Sequence, residues 1–576
     1  MHYLKHLYLL GLLVAATSLH AAQRPNIVLI ITDDQGYGDI GAHGNTMIDT
    51  PALDTLWAES VRLTDYHVDP TCAPTRSALM TGRFSTRTGI WHTIMGRSMM
   101  DSDELTLPEV LQQNGYATGL FGKWHLGDNY PFRPQDQGFE TVVWHKAGGI
   151  GQGPDYWDND YFDDTYWRGD TPEKFEGYCT DIWFAEGMQF IKENKDRPFF
   201  AYISTNAPHA PFIVDPKYST PYLEKGVSNI MAKFYGMITN IDENVDRLRR
   251  FLEQEGLSEN TIFIFTTDNG TSAGIKKKNQ DGSWKGFNAG MSRGKGSNFE
   301  GGHRVPFFIH WPEGQLTEGR DITPLTAHID ILPTLLEMVD VEKPEGPPID
   351  GISLKSLLYG DTSTYPATRT IAMHSQRVHT PQRWKTTAVM SNQWRLLGEN
   401  ELYNIQSDPG QKTNIASSHP EVVARLNQFY DQWWEGFQPD FEDRMYIVLG
   451  SETAPEVELM SHDWLVENVK QSPWNQRHVR AGLMSNGPWA VEIARTGKYQ
   501  IDLFRWPEHL NKPMERTRAK IKIGDQELQQ TLETTSTHAS FKMELSKGPT
   551  LIQTWLTTTE GKTHGAYFAK VRRLED

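Results

Sequence analysis

The sequence predicts an α/β fold on a largely parallel sheet, followed by a smaller antiparallel region and a β-rich C-terminal region. Three observations predict it. From Arg24 to about Tyr359, short apolar runs alternate with helical patterns, as expected when parallel strands are joined through helices. Four of those runs stop abruptly at polar clusters. From Arg480 to Glu575 strict apolar–polar alternation takes over, the mark of half-buried strands.

Taken in order, Asn26 to Thr32 is a buried strand ending in Asp33-Asp34-Gln35-Gly36. Ala117 to Phe121 is shorter and leads into Gly122-Lys123-Trp124-His125. Pro198 to Ser204 precedes Asn206-Ala207-Pro208-His209. Thr261 to Thr267 ends in Asp268-Asn269-Gly270. Ligands of open parallel sheets bind outside the carboxyl ends of the strands, so four such endings point to one composite site. Cys72-Ala73-Pro74-Thr75-Arg76 reads as a helix start, because proline is tolerated in the first turn. Cys72 then sits where unpaired N–H groups favour negative charge.

The expected organisation is a signal peptide over 1–22, an α/β domain over 23–364 and an antiparallel α+β subdomain over 365–440. A connector over 441–479 and a β-sandwich-like module over 480–576 complete it. Within the subdomain, Thr386 to Leu397 is a hairpin around Ser391-Asn392, Glu401 to Ile405 a strand and Pro420 to Trp434 an amphipathic helix. The signal peptide rests on His2, Lys5 and His6, the apolar run Leu7 to Ala16, and the small-residue site Leu19-His20-Ala21-Ala22. The run is too short to span a bilayer stably. The expectation is export, periplasmic or secreted, with no membrane anchor.

At 576 residues the chain is long enough for several domains. Its two cysteines exclude a disulfide framework. They leave Cys72 free for chemistry, with Cys179 a buried structural thiol. The net charge of −17 excludes nucleic acid as a general partner. An anionic substrate would need a locally basic pocket. Oligomeric state is not legible.

Asp33, Asp34, Asp268 and Asn269 offer hard oxygen ligands from two strand ends, which suits Ca²⁺ or Mg²⁺. The segments C-x-P-x-R at Cys72, G-K-W-H-L-G at Gly122, P-H at Pro208 and K-G…E-G-G-x-R-x-P from Lys295 occur in this order. With them the chain resembles the formylglycine-dependent sulfatases of the alkaline-phosphatase superfamily, over most of Arg24 to about Trp434. Thr75 is a small departure, since serine is commoner there in the family.

The resemblance implies an alkaline-phosphatase-like core and hydrolysis of a sulfate ester. It implies one divalent ion, usually calcium, held by Asp33, Asp34, Asp268, Asn269 and the modified Cys72. Cys72 would be converted to formylglycine by a formylglycine-generating or anaerobic sulfatase-maturing enzyme and, hydrated, serve as nucleophile. Arg76 and Lys123 would hold its charge, Lys295 would bind sulfate oxygens, His209 would act as general acid and His125 as general base.

Gly148 to Asp170 contains Tyr156, Trp157, Tyr161, Phe162, Tyr166 and Trp167 among acids. It reads either as a platform for a sulfated carbohydrate or as a structural insert with buried aromatics. His145, His374, Arg377, His379 and Arg383 are further candidates for substrate contact. The β-rich module is compatible with glycan binding, with walling the site or with stabilisation alone. Two other functions fit the same residues: a phosphodiesterase or phosphonate monoester hydrolase of that superfamily, and a non-catalytic binder of sulfated glycans.

Overall fold

The computed structural model describes residues 24–274, 286–437, 441 and 444–574. The expected signal peptide lies outside the described residues. A ten-stranded sheet dominates the molecule. Its order is Arg320–Ile322, Val61–Leu63, Phe307–His310, Thr261–Thr267, Asn26–Thr32, Phe199–Ser204, Ala117–Lys123, Thr141–His145, Thr165–Arg168 and Thr171–Lys174. The central strands pair in parallel, with Val28 opposite both Ala201 and Phe263. Antiparallel pairings occur towards the edges.

Every residue of Asn26–Thr32 is buried, as an apolar strand covered on both faces must be. The two-residue period of a strand divides its side chains between two layers. Ile27, Leu29 and Ile31 join a core with Leu79, Leu111 and Leu335. Val28 and Ile30 join another with Leu53, Phe184 and Ile241. Helices therefore cover both faces. Asn229–Gln254 shows how the sequence arranges this: Ser228 caps its first turn, and Met237, Ile241, Val245, Leu248 and Leu252 recur at helical spacing and are buried.

Three of the four expected strand ends hold. Ala117–Lys123 runs two residues further than expected, so Lys123 closes the strand rather than following it. The extension depends on Gly122, at φ 111°. A Cβ there would meet the Ser204 carbonyl oxygen at 2.0 Å, so only glycine lets the two strands approach.

The antiparallel region is a four-stranded sheet ordered Thr370–His374, Thr387–Ser391, Trp394–Leu397 and Glu401–Asn404. The helix Pro420–Glu435 covers it through Leu426, Tyr430, Trp433 and Trp434.

The stretch 441–479, expected as a connector, is corrected by the structure. Ile447–Leu449 pairs with Trp489–Ile493, and Glu456–Met460 pairs with Phe568–Arg573. Both strands belong to the C-terminal sheets. Their short length and sparse alternation hid them, and their partners lie far along the chain. The two C-terminal sheets face one another over a shared apolar core. That core also takes in Ile94, Met95, Met99, Phe132 and Trp157 from the α/β region. The sandwich is thus joined to the rest by a continuous core rather than by a hinge.

Candidate active site

The strand ends and the Cys72–Thr81 helix meet as the sequence predicts. All ten residues of that helix are buried. Cys72 opens it, and the Thr71 hydroxyl just before it is hydrogen-bonded to Ser375 at 2.8 Å. One turn on, Arg76 points back beneath the sheet edge. It donates to Asp268 Oδ2 from Nη2 at 2.8 Å and from Nε at 3.1 Å, and it also reaches the Ser204 hydroxyl.

Three carboxylates face three cations here, pair by pair. Lys123 Nζ lies 2.6 Å from Asp33 Oδ2, Lys295 Nζ 2.5 Å from Asp34 Oδ1, and Arg76 holds Asp268. Lys295 also approaches Cys72 Sγ at 3.4 Å. Asn269 donates to Asp34 Oδ1 at 2.9 Å, and the Asp34 backbone N–H donates to Asp268 Oδ1 at 3.1 Å. Asp34 adopts φ 71°, an unusual conformation for a non-glycine residue. It turns the carboxylate back over the strand end.

Two oxygens in this cluster remain without a hydrogen-bond partner although buried, Asp33 Oδ1 and Asn269 Oδ1. Buried polar atoms rarely stay unpaired. With Asp34 and Asp268 they form a set of hard oxygen donors that fits a divalent cation of the Ca²⁺ or Mg²⁺ kind.

Electrostatics follow from burial and pairing. Burial and the neighbouring Asp268 push the Asp33 carboxyl well above its usual range, with Lys123 opposing. Burial acts the same way on Asp34, but Lys295, His209 and Asn269 outweigh it and hold that carboxyl low. Burial raises the Cys72 thiol, against Lys123 and Lys295. Burial alone would discharge Lys295, yet Asp34 and its neighbours keep it protonated.

His209 follows a strand end and stands with Nε2 3.8 Å from Asp34 Oδ2 and Nδ1 2.6 Å from the Ala210 carbonyl. Burial and Lys295 bring its pKa down to about 4. His125 is buried, with Nε2 3.1 Å from the Thr93 carbonyl and Nδ1 unpartnered. Burial and Lys123 hold its pKa well below the ordinary value. A cavity of about 530 Å³ opens over Lys295, lined also by Thr71, Ser272, Ser375 and Arg377.

The remaining candidates divide. Arg377 lines that cavity. His374 does not fit such a role. It is buried, bonded to Thr86 and Gln376, and packed edge-on against Trp433. Arg383 pairs with Asp431 on the covering helix. His145 is buried on its strand with Nδ1 against the Lys146 carbonyl. His379 is half-buried. Cys179 is the buried thiol expected, accepting from the Asn206 amide at 3.6 Å.

The aromatic loop resolves towards the structural reading. Trp157, Tyr161, Tyr166 and Trp167 are buried. Tyr161 donates to the His209 backbone carbonyl at 2.9 Å, and Trp157 packs edge-on against Trp506 of the C-terminal sandwich. Ser204, Gln152 and Gln476, which prove central to the site's framework, escaped sequence reading because nothing local distinguishes them.

A mostly parallel sheet carrying an acid-rich oxygen cluster at its strand ends, beside a buried thiol at a helix start, defines a hydrolase with an alkaline-phosphatase-like core. The chain belongs to the sulfatase family: the family's model, described as sulfatase, matches residues 25–341. A second model, described as the C-terminal region of N-sulphoglucosamine sulphohydrolase, matches 294–433. The chain is 32% identical to human N-acetylgalactosamine-6-sulfatase over 431 residues, covering 69% of this chain and 77% of that one. It is 30% identical to rat arylsulfatase G over 383 residues, or 60% of this chain and 70% of that one. The solved structure of Ps i-CgsB in complex with k-i-k-neocarrahexaose superimposes with a TM-score of 0.63 at 27% identity, covering 71% of this chain and 93% of the other. The protein is a sulfuric ester hydrolase.

Proposed function

We propose that this sulfatase is exported and removes sulfate from a sulfated carbohydrate, with Cys72 converted to formylglycine and a calcium ion at the carboxylate cluster. The observation that supports this most is the placement of Cys72 Sγ 3.4 Å from Lys295 Nζ, beside the cluster with its two unpartnered oxygens. The carbohydrate class is supported by relatives: one is named for N-acetylgalactosamine 6-sulfate, and another was solved with a neocarrahexaose. Export rests on the N-terminal run. No helix among the described residues is long and apolar enough to cross a membrane. The maturing partner would be a formylglycine-generating or anaerobic sulfatase-maturing enzyme.

Asp33, Asp34, Asp268 and Asn269 would hold the ion, which supplies positive charge to an otherwise charge-balanced cluster. The aldehyde form of residue 72, when hydrated, supplies the nucleophilic oxygen. The chain's own residues do the rest. Lys295 donates to a sulfate oxygen from the cavity side, a preorganised donor in a water-poor site. Lys123 and Arg76, fixed by Asp33 and Asp268, keep positive charge beneath residue 72. His209, partly exposed beside Asp34, gives a proton to the departing oxygen. Its neutral resting state shifts towards protonation when the anionic ester arrives. His125, neutral and with Nδ1 free of other bonds, takes up a proton in the second half of the reaction. Overall, one S–O bond of the ester is exchanged for one from water, giving the alcohol and inorganic sulfate.

The test is release of inorganic sulfate from a panel of sulfated mono- and polysaccharides. The protein is co-produced with a formylglycine-generating enzyme, and Cys72→Ala is run in parallel. Release that disappears in the variant is expected. No release from any member, with the aldehyde confirmed at position 72, rejects the substrate class.

A further inference from the structure

The C-terminal sandwich reaches the candidate acid and base through a short chain of glutamines. Gln476 opens the helix Gln476–Arg480, beyond the end of both family matches, and is 4% exposed. Its Nε2 faces three backbone carbonyls of the aromatic loop, those of Gln152 and Asp155 at 3.2 Å and of Tyr156 at 3.1 Å. Its Oε1 accepts from the Asp158 backbone N–H at 3.2 Å. A buried amide that binds backbone on both of its ends fixes the path of a loop that has little regular structure of its own.

Gln152 passes that constraint on. Its Oε1 accepts from the Gly148 N–H at 3.2 Å. Gly148 lies flat against the His125 ring, so close that a Cβ there would fall 2.2 Å from Cε1 and 2.4 Å from Nε2. A Cβ on Gly149 would stand 3.2 Å from Gln152 Nε2 and 3.5 Å from His209 Nδ1. Both histidines are therefore backed by one glycine pair, whose position depends on Gln152. The isolated bridge between Gln152 and Asn475 and the bond from Gly153 N–H to the Trp474 carbonyl at 2.9 Å close the same joint.

We infer that Gln476 and Gln152 are positioning residues that hold His125 and His209 in register, so that the C-terminal sandwich is a structural part of the active site. The inference rests on the acid and base roles given above. Neither glutamine touches the reacting atoms. Losing either amide lets the glycine pair relax by a fraction of an ångström, which affects proton transfer more than binding.

The experiment compares wild type, Gln476→Ala, Gln476→Glu, Gln152→Ala, the Gln152→Ala/Gln476→Ala double variant and Arg480→Ala. Arg480→Ala is the control. It removes the exposed ion pair with Asp158, a 3.5 Å contact with Gln476 Oε1 and the stack on Trp157, but leaves all four bonds of the Gln476 amide to the loop backbone in place. Gln476→Glu keeps the size and the acceptor and removes the donors, so it reports even where the alanine variant folds poorly. Each single glutamine variant is expected to lower kcat about ten- to a hundredfold. KM should stay within about threefold. The double variant should be no worse than the poorer single, as for two links of one chain. Arg480→Ala should match wild type. In ¹³C-histidine spectra, the His125 and His209 ring signals should move in the glutamine variants while His564 stays fixed.

Independent losses in the double variant, an equal loss in Arg480→Ala, or unmoved His125 and His209 signals would each overturn the inference. A wild type that releases no sulfate from any substrate rejects the proposed function instead, and the histidine spectra still decide the positioning role.

Discussion

Lys295 meets two groups that each lie more than two hundred residues before it in the sequence: its ammonium lies 2.5 Å from Asp34 Oδ1 and 3.4 Å from Cys72 Sγ. The cation is held by a carboxylate and aimed at residue 72. Lys295→Ala should therefore remove a donor without removing residue 72, the proposed nucleophile. We expect kcat to fall about a hundred- to a thousandfold, read as sulfate release at saturating substrate. Replacement by arginine should not restore it, because a planar fork cannot occupy the place of a point charge.

Cys72→Ser and Cys72→Ala should both abolish release. A serine hydroxyl has no second oxygen on its carbon, so it offers no exit for the bound sulfate. Ordinary steady-state turnover by the serine variant would refute the aldehyde reading.

Arg76 and Asp268 are an almost fully buried pair, with side chains 1% and 0% exposed. Arg76→Met leaves Asp268 as an uncompensated buried charge. The expected cost is about 3–5 kcal/mol, seen as a lower urea midpoint with an unchanged slope. A smaller loss in the presence of added Ca²⁺ would show that the ion takes over part of that compensation.

Removal of the ion should be visible without an activity assay. Treatment with a calcium chelator is expected to lower the thermal midpoint, and excess Ca²⁺ to restore it, because a ligand that binds only the folded chain stabilises it by mass action. A midpoint indifferent to chelator would contradict the ion-site reading.

The C-terminal sandwich should carry its own acid sensitivity. His564 accepts from Arg516 at 2.9 and 3.0 Å and is otherwise bonded to the Gly565 carbonyl. Burial, then Arg516, bring its pKa from 6.5 to about 4. The unfolded chain therefore takes the proton first as pH falls. The contribution is full above about pH 6.5 and is lost towards pH 4, on the order of 3 kcal/mol in all. Denaturation of His564→Gln at pH 7 and pH 5 should show a smaller pH effect than wild type by about 2 kcal/mol, the part of the loss that falls in that window.

Much of the core was legible because apolar strands and their polar endings are local features. Asn26–Thr32 and Thr261–Thr267 are bounded in sequence as they are in space. The cluster at their ends followed from the rule that parallel sheets bind at that edge. What escaped was non-local. Ile447–Leu449 is too short to declare itself and acquires meaning only beside Trp489–Ile493. The aromatic loop was ambiguous because buried and sugar-stacking tryptophans look alike in sequence. Trp157 is settled by Trp506, some 350 residues away. Gln476 is an ordinary polar residue until the fold places it among three carbonyls.

Burial of the Cys72–Thr81 helix has a consequence for the order of events in the cell. Cys72 is 2% exposed, and every residue after it to Thr81 is inside. Another macromolecule working on that thiol needs the segment extended and clear of the sheet. The opportunity closes when Asn26–Thr32 and Thr261–Thr267 pair and the helix docks beneath them. If Cys72 is converted as proposed, maturation and folding compete for the same stretch of chain, and a molecule that folds first keeps an ordinary cysteine sealed inside.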